Sequence, residues 1–219
     1  MIPWSFLPIP PPESKKRIFS SATSSAISSS RSLALLKSFP LLEEIHTVAF
    51  DFDGVFTDNK VWVDQDGRES VCCDRGDGLA FDLLRAFQRR GRPLPEFFIL
   101  SKESNPVVQA RARKLKLACH CAVDDKLDFM RGYLSVRFPG HADPFDGLVY
   151  LGNDLNDLPL IHHAGYSVVP ADAHPLVRNT AHMVLEKRGG DGFVRAFIEL
   201  LLGINQLSEV EIDDLVSDR

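Results

Sequence analysis

Short apolar runs alternate with longer amphipathic stretches through most of the chain. The runs that end at Phe50, Leu100 and Leu151 are typical of buried strands in a parallel sheet. Further strands are expected over 118–122, 166–169 and 182–185. Apolar residues recur at helical spacing over 78–89, 107–117, 154–164 and 193–202. Right-handed crossovers between such elements predict an α/β fold, a three-layer doubly wound parallel sheet.

One segment, between the first two of those runs, departs from this alternation. Val61, Trp62 and Val63 precede a polar Gln-Asp-Gly turn and Val71 follows it, a pattern typical of a β-hairpin. Only residues 60–95 separate the two runs, which is too few for a second domain. We therefore expect a short hairpin flap over 61–73 and no separate cap domain.

The most informative polar residues, Asp51 and Asp53, follow the first apolar run and precede Gly54. Side chains two residues apart on a strand point the same way, so both carboxylates are expected at one site at the strand's carboxyl end. Such a pair repels itself and an anionic substrate unless a hard cation such as Mg²⁺ lies between the carboxylates. A polar strand-to-loop exit is the alternative interpretation of these residues taken alone.

Three further segments favour chemistry at that edge of the sheet. Ser101 follows the second run and offers a hydroxyl to a phosphoryl oxygen. Lys126 begins a helical pattern and offers a point charge for phosphate. Residues 152–157 follow the third run and supply more oxygen ligands, in Asn153, Asp154 and Asp157.

In this order the four segments resemble the motifs of the haloacid dehalogenase (HAD) superfamily of phosphohydrolases. The short insert between the first two motifs resembles that of the capless subgroup of this superfamily. This resemblance implies a HAD-like Rossmannoid fold with a hairpin flap. The segments 75–79, 171–175 and 189–195 resemble the 3-deoxy-D-manno-octulosonate 8-phosphate (KDO 8-phosphate) phosphatases, and equally the HAD domain attached to acylneuraminate cytidylyltransferases and the nonulosonate 9-phosphate phosphatases. Residues 101–106 replace the Thr-Gly-Arg usual in the octulosonate enzymes and favour the acylneuraminate side. The similarity extends over about residues 46–203.

The resemblance implies roles for the catalytic candidates. Asp51 is the expected nucleophile that forms an aspartyl-phosphate, and Asp53 is the expected acid that protonates the leaving oxygen and then activates water. Ser101 and Lys126 are expected to hold the phosphoryl oxygens. The implied substrate is a sugar-acid phosphate, and the implied assembly is a homotetramer.

Six residues are candidate contacts for the substrate. They are Gly54, Arg75, Asp77, Gly78, Arg111 and Arg195. A solvated charge on a helix is an equally good interpretation of Arg111. The glycines that precede Arg195 are equally well interpreted as a simple turn.

The candidate metal ligands include one departure from the family pattern. They are Asp51, Asp53, Asn153, Asp154 and Asp157. Asn153 stands where the family usually has an aspartate, and an amide oxygen brings no charge, so Mg²⁺ affinity should fall unless Asp154 or Asp157 compensates. A non-catalytic oligomerisation or scaffolding domain, of the kind associated with acylneuraminate cytidylyltransferases, is therefore the alternative function.

Composition and charge narrow the functional classes. The chain has 219 residues, 44% of them hydrophobic, and a formal net charge of −5, so it can bury one sizeable core and offers no electrostatic footprint for nucleic acid. No apolar run approaches the length of a membrane span. The four cysteines match neither a zinc site nor a secreted disulfide framework, and we interpret them as reduced and structural.

The two ends of the chain differ from the rest. Residues 1–44 are rich in serine and proline and poor in acids, which predicts a disordered segment. We expect a cytoplasmic enzyme. If residues 1 to about 40 act as a transit peptide, the alternative location is an organelle, either a plastid or a mitochondrion. Residues 45–203 form the predicted phosphatase domain, and residues 204–219 are predicted to be a solvated acidic tail.

Overall fold

The structure is a computed structural model and describes residues 38–218. Its strands are β1 (Thr47–Phe50), β2 (Thr57–Val63), β3 (Glu69–Cys73), β4 (Glu96–Leu100), β5 (Ala118–His120), β6 (Leu148–Leu151), β7 (Tyr166–Val169) and β8 (Met183–Val184). Its α-helices are α1 (Gly76–Arg89), α2 (Pro106–Leu115), α3 (Lys126–Arg137), α4 (Leu158–His163), α5 (Pro175–Thr180), α6 (Phe193–Leu202) and α7 (Glu209–Ser217).

Six strands form one parallel sheet in the order β5-β4-β1-β6-β7-β8. Strand β1 lies between β4 and β6, with Thr47 opposite both Glu96 and Leu148. After β1 the chain adds β4 and β5 on one side of it, and then crosses back to add β6, β7 and β8 on the other side. Parallel α/β sheets place ligands beyond the carboxyl ends of the strands at such a switch point. The predicted three-layer doubly wound fold is confirmed.

Each face of the sheet is covered by helices over its own apolar core. Phe50 of β1 lies on the face covered by α1 and α6, where its ring packs edge-on against Phe81 at 6.0 Å and Phe197 at 5.9 Å between ring centroids. Ala49 points to the other face and packs with residues such as Met130 of α3. Burial on both faces explains why the strands read as continuous apolar runs. The core thereby fixes the positions at which β1, β4 and β6 end.

The hairpin flap is present as predicted. Strands β2 and β3 pair antiparallel as a separate two-stranded sheet, with Trp62 opposite Ser70. Gly67 in the turn has φ +76°, a conformation that glycine adopts without steric cost. The side chain of Asn105 donates to Glu69 at 2.8 Å, which links the flap to the segment that follows Ser101.

The carboxyl-terminal segment differs from the predicted solvated tail. Residues 209–217 form α7, which begins with a capping box between Ser208 and Glu211. Leu215 is 2% exposed and belongs to the core beneath α1. A charged stretch with a few apolar residues at helical spacing therefore docks as a helix, because one apolar stripe suffices to bury it.

The ordered domain also begins earlier than the predicted boundary at residue 45. Phe39 packs edge-on against Tyr166 at 5.3 Å, and Leu42 contacts the same core. The expectations for residues 1–37, including a transit peptide, lie outside the described residues. Between residues 38 and 218, none of the helices has the length and apolar character that a membrane crossing requires.

Candidate active site

Two parallel strands and the start of one helix bring the candidate catalytic residues to one edge of the sheet. Asp51 directly follows β1, and its backbone N–H donates to Leu151 O of β6 at 2.8 Å. Ser101 directly follows β4, and its N–H donates to His120 O of β5 at 2.9 Å. Lys126 is the first residue of α3. Adjacent strands of equal register thus bring residues distant in sequence to one place.

A buried ion cluster lies at this edge. The Lys126 ammonium is 2.8 Å from Asp51 Oδ1 and 2.8 Å from Asp157 Oδ1, and it also donates to the Tyr150 hydroxyl at 3.2 Å. The Tyr150 hydroxyl in turn donates to Asp157 Oδ1 at 2.7 Å. All four side chains are buried, so the geometry of the cluster is fixed by direct bonds rather than by solvent.

The cluster carries one more negative charge than positive charge. Burial, followed by the charge of Asp157, raises the pKa of Asp51 to about 7, and Lys126 opposes that rise. Burial lowers the pKa of Lys126, but Asp51 and Asp157 together raise it above the ordinary lysine value. An additional cation beside Asp51 would remove this imbalance.

Asp51 and Asp53 face a common cavity of about 430 Å³. Its lining residues are Asp51, Asp53, Ser101, Lys102, Glu103, Ser104 and Asn156, and we name it the acidic cavity. Burial, followed by Glu103, raises the pKa of Asp53. Ser101 Oγ accepts the Glu103 N–H at 3.0 Å, which leaves its own proton able to donate.

Two aspartates of the segment after β6, Asp157 and Asp154, accept hydrogen bonds from different groups. Asp157 accepts from Lys126 and Tyr150 through Oδ1 and from the Asn153 and Asp154 N–H groups through Oδ2, at 2.8 and 3.2 Å for the latter two. A carboxylate has about four acceptor positions, and all four are used here. Asp154 caps the next turn by accepting the Leu155 N–H at 2.7 Å.

Asn153 connects this segment with the first motif. It is 8% exposed, and its side-chain amide packs so closely against Gly54 that any Cβ at residue 54 would overlap it. Gly54 also has φ +72°, which independently favours glycine. The glycine after Asp53 is therefore required for the close approach of Asn153.

None of the six candidate substrate contacts lines the acidic cavity. Arg75, Gly78 and Arg111 line a second cavity of about 430 Å³, which we name the cationic groove. Its other lining residues are Cys73, Leu79, Asp82, Arg85, Lys114, Leu115 and Lys116. Arg111 donates to Asp74 O at 2.6 Å, and its buried Nε has no hydrogen-bond partner in the described part of the chain.

Asp77 and Arg195 meet where α1 and α6 begin. The Arg195 N–H donates to Asp77 Oδ1 at 3.2 Å, while the Arg195 guanidinium pairs with Glu199 at 2.7 Å. Burial, followed by the charge of Asp74, raises the pKa of Asp77 to about 7. Neither residue lines either cavity.

Sequence reasoning missed several polar residues of the site. Tyr150 stands within an apolar strand, and only its lone hydroxyl distinguished it from a core residue. Glu103 lies in the loop after β4, and Asn156 lies in a short 3-10 helix over 155–157, within the polar segment 152–157 but not among the residues selected from it. Their placement depends on tertiary structure, which local sequence patterns do not contain.

Comparison with known proteins places the chain in a family. Residues 144–197 match the family model of haloacid dehalogenase-like hydrolases. A solved protein from Streptomyces avermitilis MA-4680, classed as a HAD family hydrolase, is 40% identical with a TM-score of 0.68, and the alignment covers 78% of this chain and 98% of that one. The chain belongs to the haloacid dehalogenase-like hydrolases.

Phosphatases are among the further relatives of this HAD hydrolase. The KDO 8-phosphate phosphatase of Moraxella catarrhalis, solved with magnesium, phosphate and KDO, is 26% identical with a TM-score of 0.64, and 74% of this chain and 88% of that chain are covered. The N-acylneuraminate cytidylyltransferase of Oncorhynchus mykiss is 27% identical over 78% of this chain but only 39% of its own length. The enzyme is thus a HAD-type phosphatase, a phosphoric monoester hydrolase.

Proposed function

We propose that the chain removes phosphate from a sugar-acid phosphate of the KDO 8-phosphate or nonulosonate 9-phosphate type, with Mg²⁺ and through an aspartyl-phosphate. The arrangement of Asp51, Lys126 and Ser101 around the end of β1 is the observation that carries this proposal. Phosphoryl transfer asks a protein chiefly for positioning and charge neutralisation, and this cluster offers both. The KDO bound in the Moraxella catarrhalis relative supports the substrate class.

The two oxygens of Asp51 have different surroundings. Oδ1 accepts from Lys126 at 2.8 Å and from the Phe52 N–H at 2.7 Å, so Oδ2 is the oxygen left to attack phosphorus. As its bond to phosphorus forms, the ester P–O bond breaks and Asp53 gives its proton to the departing sugar oxygen. Asp53 then takes a proton from the water that attacks the phosphorus. The P–O bond to Asp51 breaks, and free phosphate leaves.

The residues present fit a hard divalent cation. Asp51 and Asp53 provide carboxylate oxygens, Asn153 provides an amide oxygen nearby, and the buried cluster has an excess negative charge. Mg²⁺ bound there would neutralise charge on the phosphoryl group. We leave Asp157 out of the ligand set because its acceptor positions are already used. Asp154 remains as the fourth candidate ligand.

The hydrolysis proposal is tested by a substrate screen. Purified protein with Mg²⁺ is assayed for phosphate release from octulosonate 8-phosphate, nonulosonate 9-phosphates, hexose phosphates and an aryl phosphate, with the Asp51→Asn variant as the blank. We expect turnover to be fastest on the sugar-acid phosphates. Preference for hexose phosphates would refute the substrate class, and no release from any compound would refute the hydrolase proposal.

We also propose that the enzyme works as a homotetramer in which flaps of neighbouring copies meet. The flap exposes Trp62 by 76%, Val63 by 61% and Val61 by 52%, and adjacent exposed apolar side chains of this size usually mark an interface. Trp62→Asp should dissociate the assembly and lower turnover of the sugar-acid phosphate. Light scattering that finds a fully active wild-type monomer at micromolar concentration would refute the tetramer.

A scaffolding domain is the second candidate, favoured by one observation. Asn153 removes a charged ligand from the proposed metal set, and the cytidylyltransferase of Oncorhynchus mykiss contains a segment similar to this chain. A stable tetramer without phosphatase activity on the full panel would support that candidate.

A further inference from the structure

Two cysteine thiols lie side by side at the edge of the main sheet. Cys119 is on the edge strand β5 and Cys121 directly follows it, and their sulfur atoms are 3.0 Å apart. Both side chains are half-buried and pack against the core on the α1 face. In the described part of the chain, neither cysteine belongs to a group of three or more His, Cys, Asp or Glu residues that could hold a metal.

The geometry of this pair is close to that of a disulfide. Residues two apart on a strand point to the same side, and disulfide-bonded cysteines have Cα atoms about 4.4–6.8 Å apart. The sulfurs need to approach by only about 1 Å to reach bonding distance. The other two cysteines differ, because Cys72 and Cys73 are consecutive on β3 and point to opposite faces.

The pair is joined to the Ser101 loop by three backbone hydrogen bonds. His120 O, between the two cysteines, accepts the Ser101 N–H at 2.9 Å. The Ala122 N–H donates to Glu103 O, and the Val123 N–H donates to Ser101 O, both at 3.1 Å. Ala122 has φ +57°, a conformation that L-residues rarely adopt, so the backbone here has little freedom to absorb a change. A covalent contraction of the pair should therefore displace Ser101 and Glu103, which line the acidic cavity.

We propose that Cys119 and Cys121 are a reversible oxidation site, which closes to an intramolecular disulfide with a small disulfide such as oxidised glutathione and thereby lowers phosphatase turnover. The loss of turnover rests on the proposed function of Ser101, whereas disulfide formation does not. The Cys121 thiolate attacks one sulfur of the oxidant, forming a mixed disulfide and releasing the first thiol. Cys119 loses its proton and attacks Cys121, which releases the second thiol, so that two protein thiols are oxidised as one small disulfide is reduced.

This order of attack follows from the surroundings of the two thiols. Burial and Cys121, whose sulfur is 3.0 Å away, raise the pKa of Cys119 to about 12, so Cys119 keeps its proton while Cys121 attacks the oxidant. The part of this rise that comes from Cys121 is removed once Cys121 is in the mixed disulfide, which lets Cys119 lose its proton for the second step. A disulfide across so short a loop is strained, and strained disulfides are the readily reduced, regulatory ones. The pair is therefore expected to be reduced at rest and to respond to the redox poise.

Mass spectrometry tests the modification itself. The full chain is equilibrated with glutathione at graded ratios of oxidised to reduced form, alkylated and cut with trypsin, which releases residues 117–126 as one peptide holding both cysteines. We expect this peptide to become two hydrogens lighter and resistant to alkylation, reversibly with dithiothreitol. Alkylation of both cysteines at every ratio would overturn the proposal, as would accumulation of glutathione adducts without the internal disulfide.

Single variants test the order of attack. Cys119→Ser should trap a glutathione adduct on Cys121, whereas Cys121→Ser should stay unmodified. An adduct on Cys119 in the second variant, with none on Cys121 in the first, would overturn the assigned order.

Turnover of an aryl phosphate tests the coupling to the active site. Oxidation should lower the wild-type rate by at least about fivefold, and dithiothreitol should restore it. The Cys72→Ser/Cys73→Ser variant should respond like wild type, while Cys119→Ser/Cys121→Ser should not respond. An unchanged rate in protein shown by mass to be oxidised would overturn the coupling. A reduced protein with no activity would instead count against the proposed hydrolase function.

Discussion

The acidic cavity and the cationic groove have the same volume and opposite charge. The first has Asp51, Asp53 and Glu103 in its wall, and the second has five arginine and lysine side chains and one carboxylate, Asp82, which pairs with Arg85 at 2.6 Å. Their surroundings also differ, because Asp51 is bonded within a buried ion cluster whereas the groove's lysines are exposed. The formal net charge of −5 of the whole chain does not reveal that the two cavities have opposite charges.

The comparison indicates how each region should respond to substitution. Removing a member of a buried ion cluster costs stability where it leaves a buried donor or charge unsatisfied, so substitutions there can change both catalysis and folding. Exposed charges are screened by solvent and salt, so changes in the groove should affect binding more than folding.

The largest expected effect belongs to the nucleophile. Asp51→Asn should lower turnover of every substrate by more than about 10³-fold, because an amide oxygen cannot form the phosphoryl ester. Stability should change little, since Lys126 keeps its 2.8 Å contact with Asp157. Phosphate release and urea unfolding measure the two quantities. Activity within tenfold of wild type, with the substitution verified by mass, would end the aspartyl-phosphate proposal.

Asp157→Asn tests the buried cluster itself. We expect a loss of about 3 kcal/mol in the free energy of unfolding, because an amide NH₂ in place of one carboxylate oxygen would face N–H or O–H donors that the carboxylate now satisfies. Denaturant unfolding measures the loss. Asp124→Asn is the matched control, because the Asp124 side chain is 93% exposed and should contribute little. Equal effects of the two variants would contradict the structural role of Asp157.

The sequence predicted the strand ends and the acidic pair because both depend on local patterns. A continuous apolar run identifies a strand buried on both faces, and the period of two places Asp51 and Asp53 on one side. The role of Asp157 was not predictable from the pattern, since its four donors come from β6, α3 and the adjoining loop. Helix α7 was missed because five acids obscured the apolar stripe that contains Leu215.

The cationic groove illustrates the same limit. Arg75 is far in sequence from Arg111 and Lys116, and the packing of α1 beside α2, where Arg85 donates to Leu115 O, brings them to one cavity. As isolated charges they cannot be distinguished from a solvated helix face.

Arg111→Ala tests whether the groove takes part in substrate binding. We expect about a tenfold rise in KM for a sugar-acid phosphate, because the half-buried Arg111 has an Nε without a hydrogen-bond partner in the described part of the chain and a guanidinium is suited to a carboxylate. KM for an aryl phosphate without a carboxylate should not change. Lys114→Ala, an exposed change in the same groove, is the control. A rise for both substrates would mean that Arg111 acts only by holding Asp74 O at 2.6 Å.

The free energy of unfolding should depend on pH because of Asp77. Burial and Asp74 raise its pKa from 3.8 to about 7, against the opposing effects of Arg195 and Arg111. Between pH 3.8 and about 7 the folded state therefore binds more protons at Asp77 than the unfolded state does. The stability that protonated Asp77 contributes is lost as pH rises through this range.

Asp77→Asn removes that titration. Relative to wild type, the variant should gain about 1 kcal/mol or more in unfolding free energy between about pH 5 and about pH 7.5. Urea unfolding at the two pH values measures the change. A difference between variant and wild type that stays constant with pH would show that Asp77 ionises normally in the folded state.

The smallest effect should come from Asn153→Asp beside Gly54. A charged oxygen in place of the amide should lower the Mg²⁺ concentration for half-maximal activity several-fold, since it adds a carboxylate to the proposed ligand set. The control is Asn156→Asp, which adds the same charge to the wall of the acidic cavity but is not in the proposed ligand set. A Mg²⁺ titration of activity distinguishes the two, because general electrostatic attraction would shift both variants equally. Equal shifts, or none for Asn153→Asp, would mean that residue 153 does not contact the metal and that Asp154 fills that place.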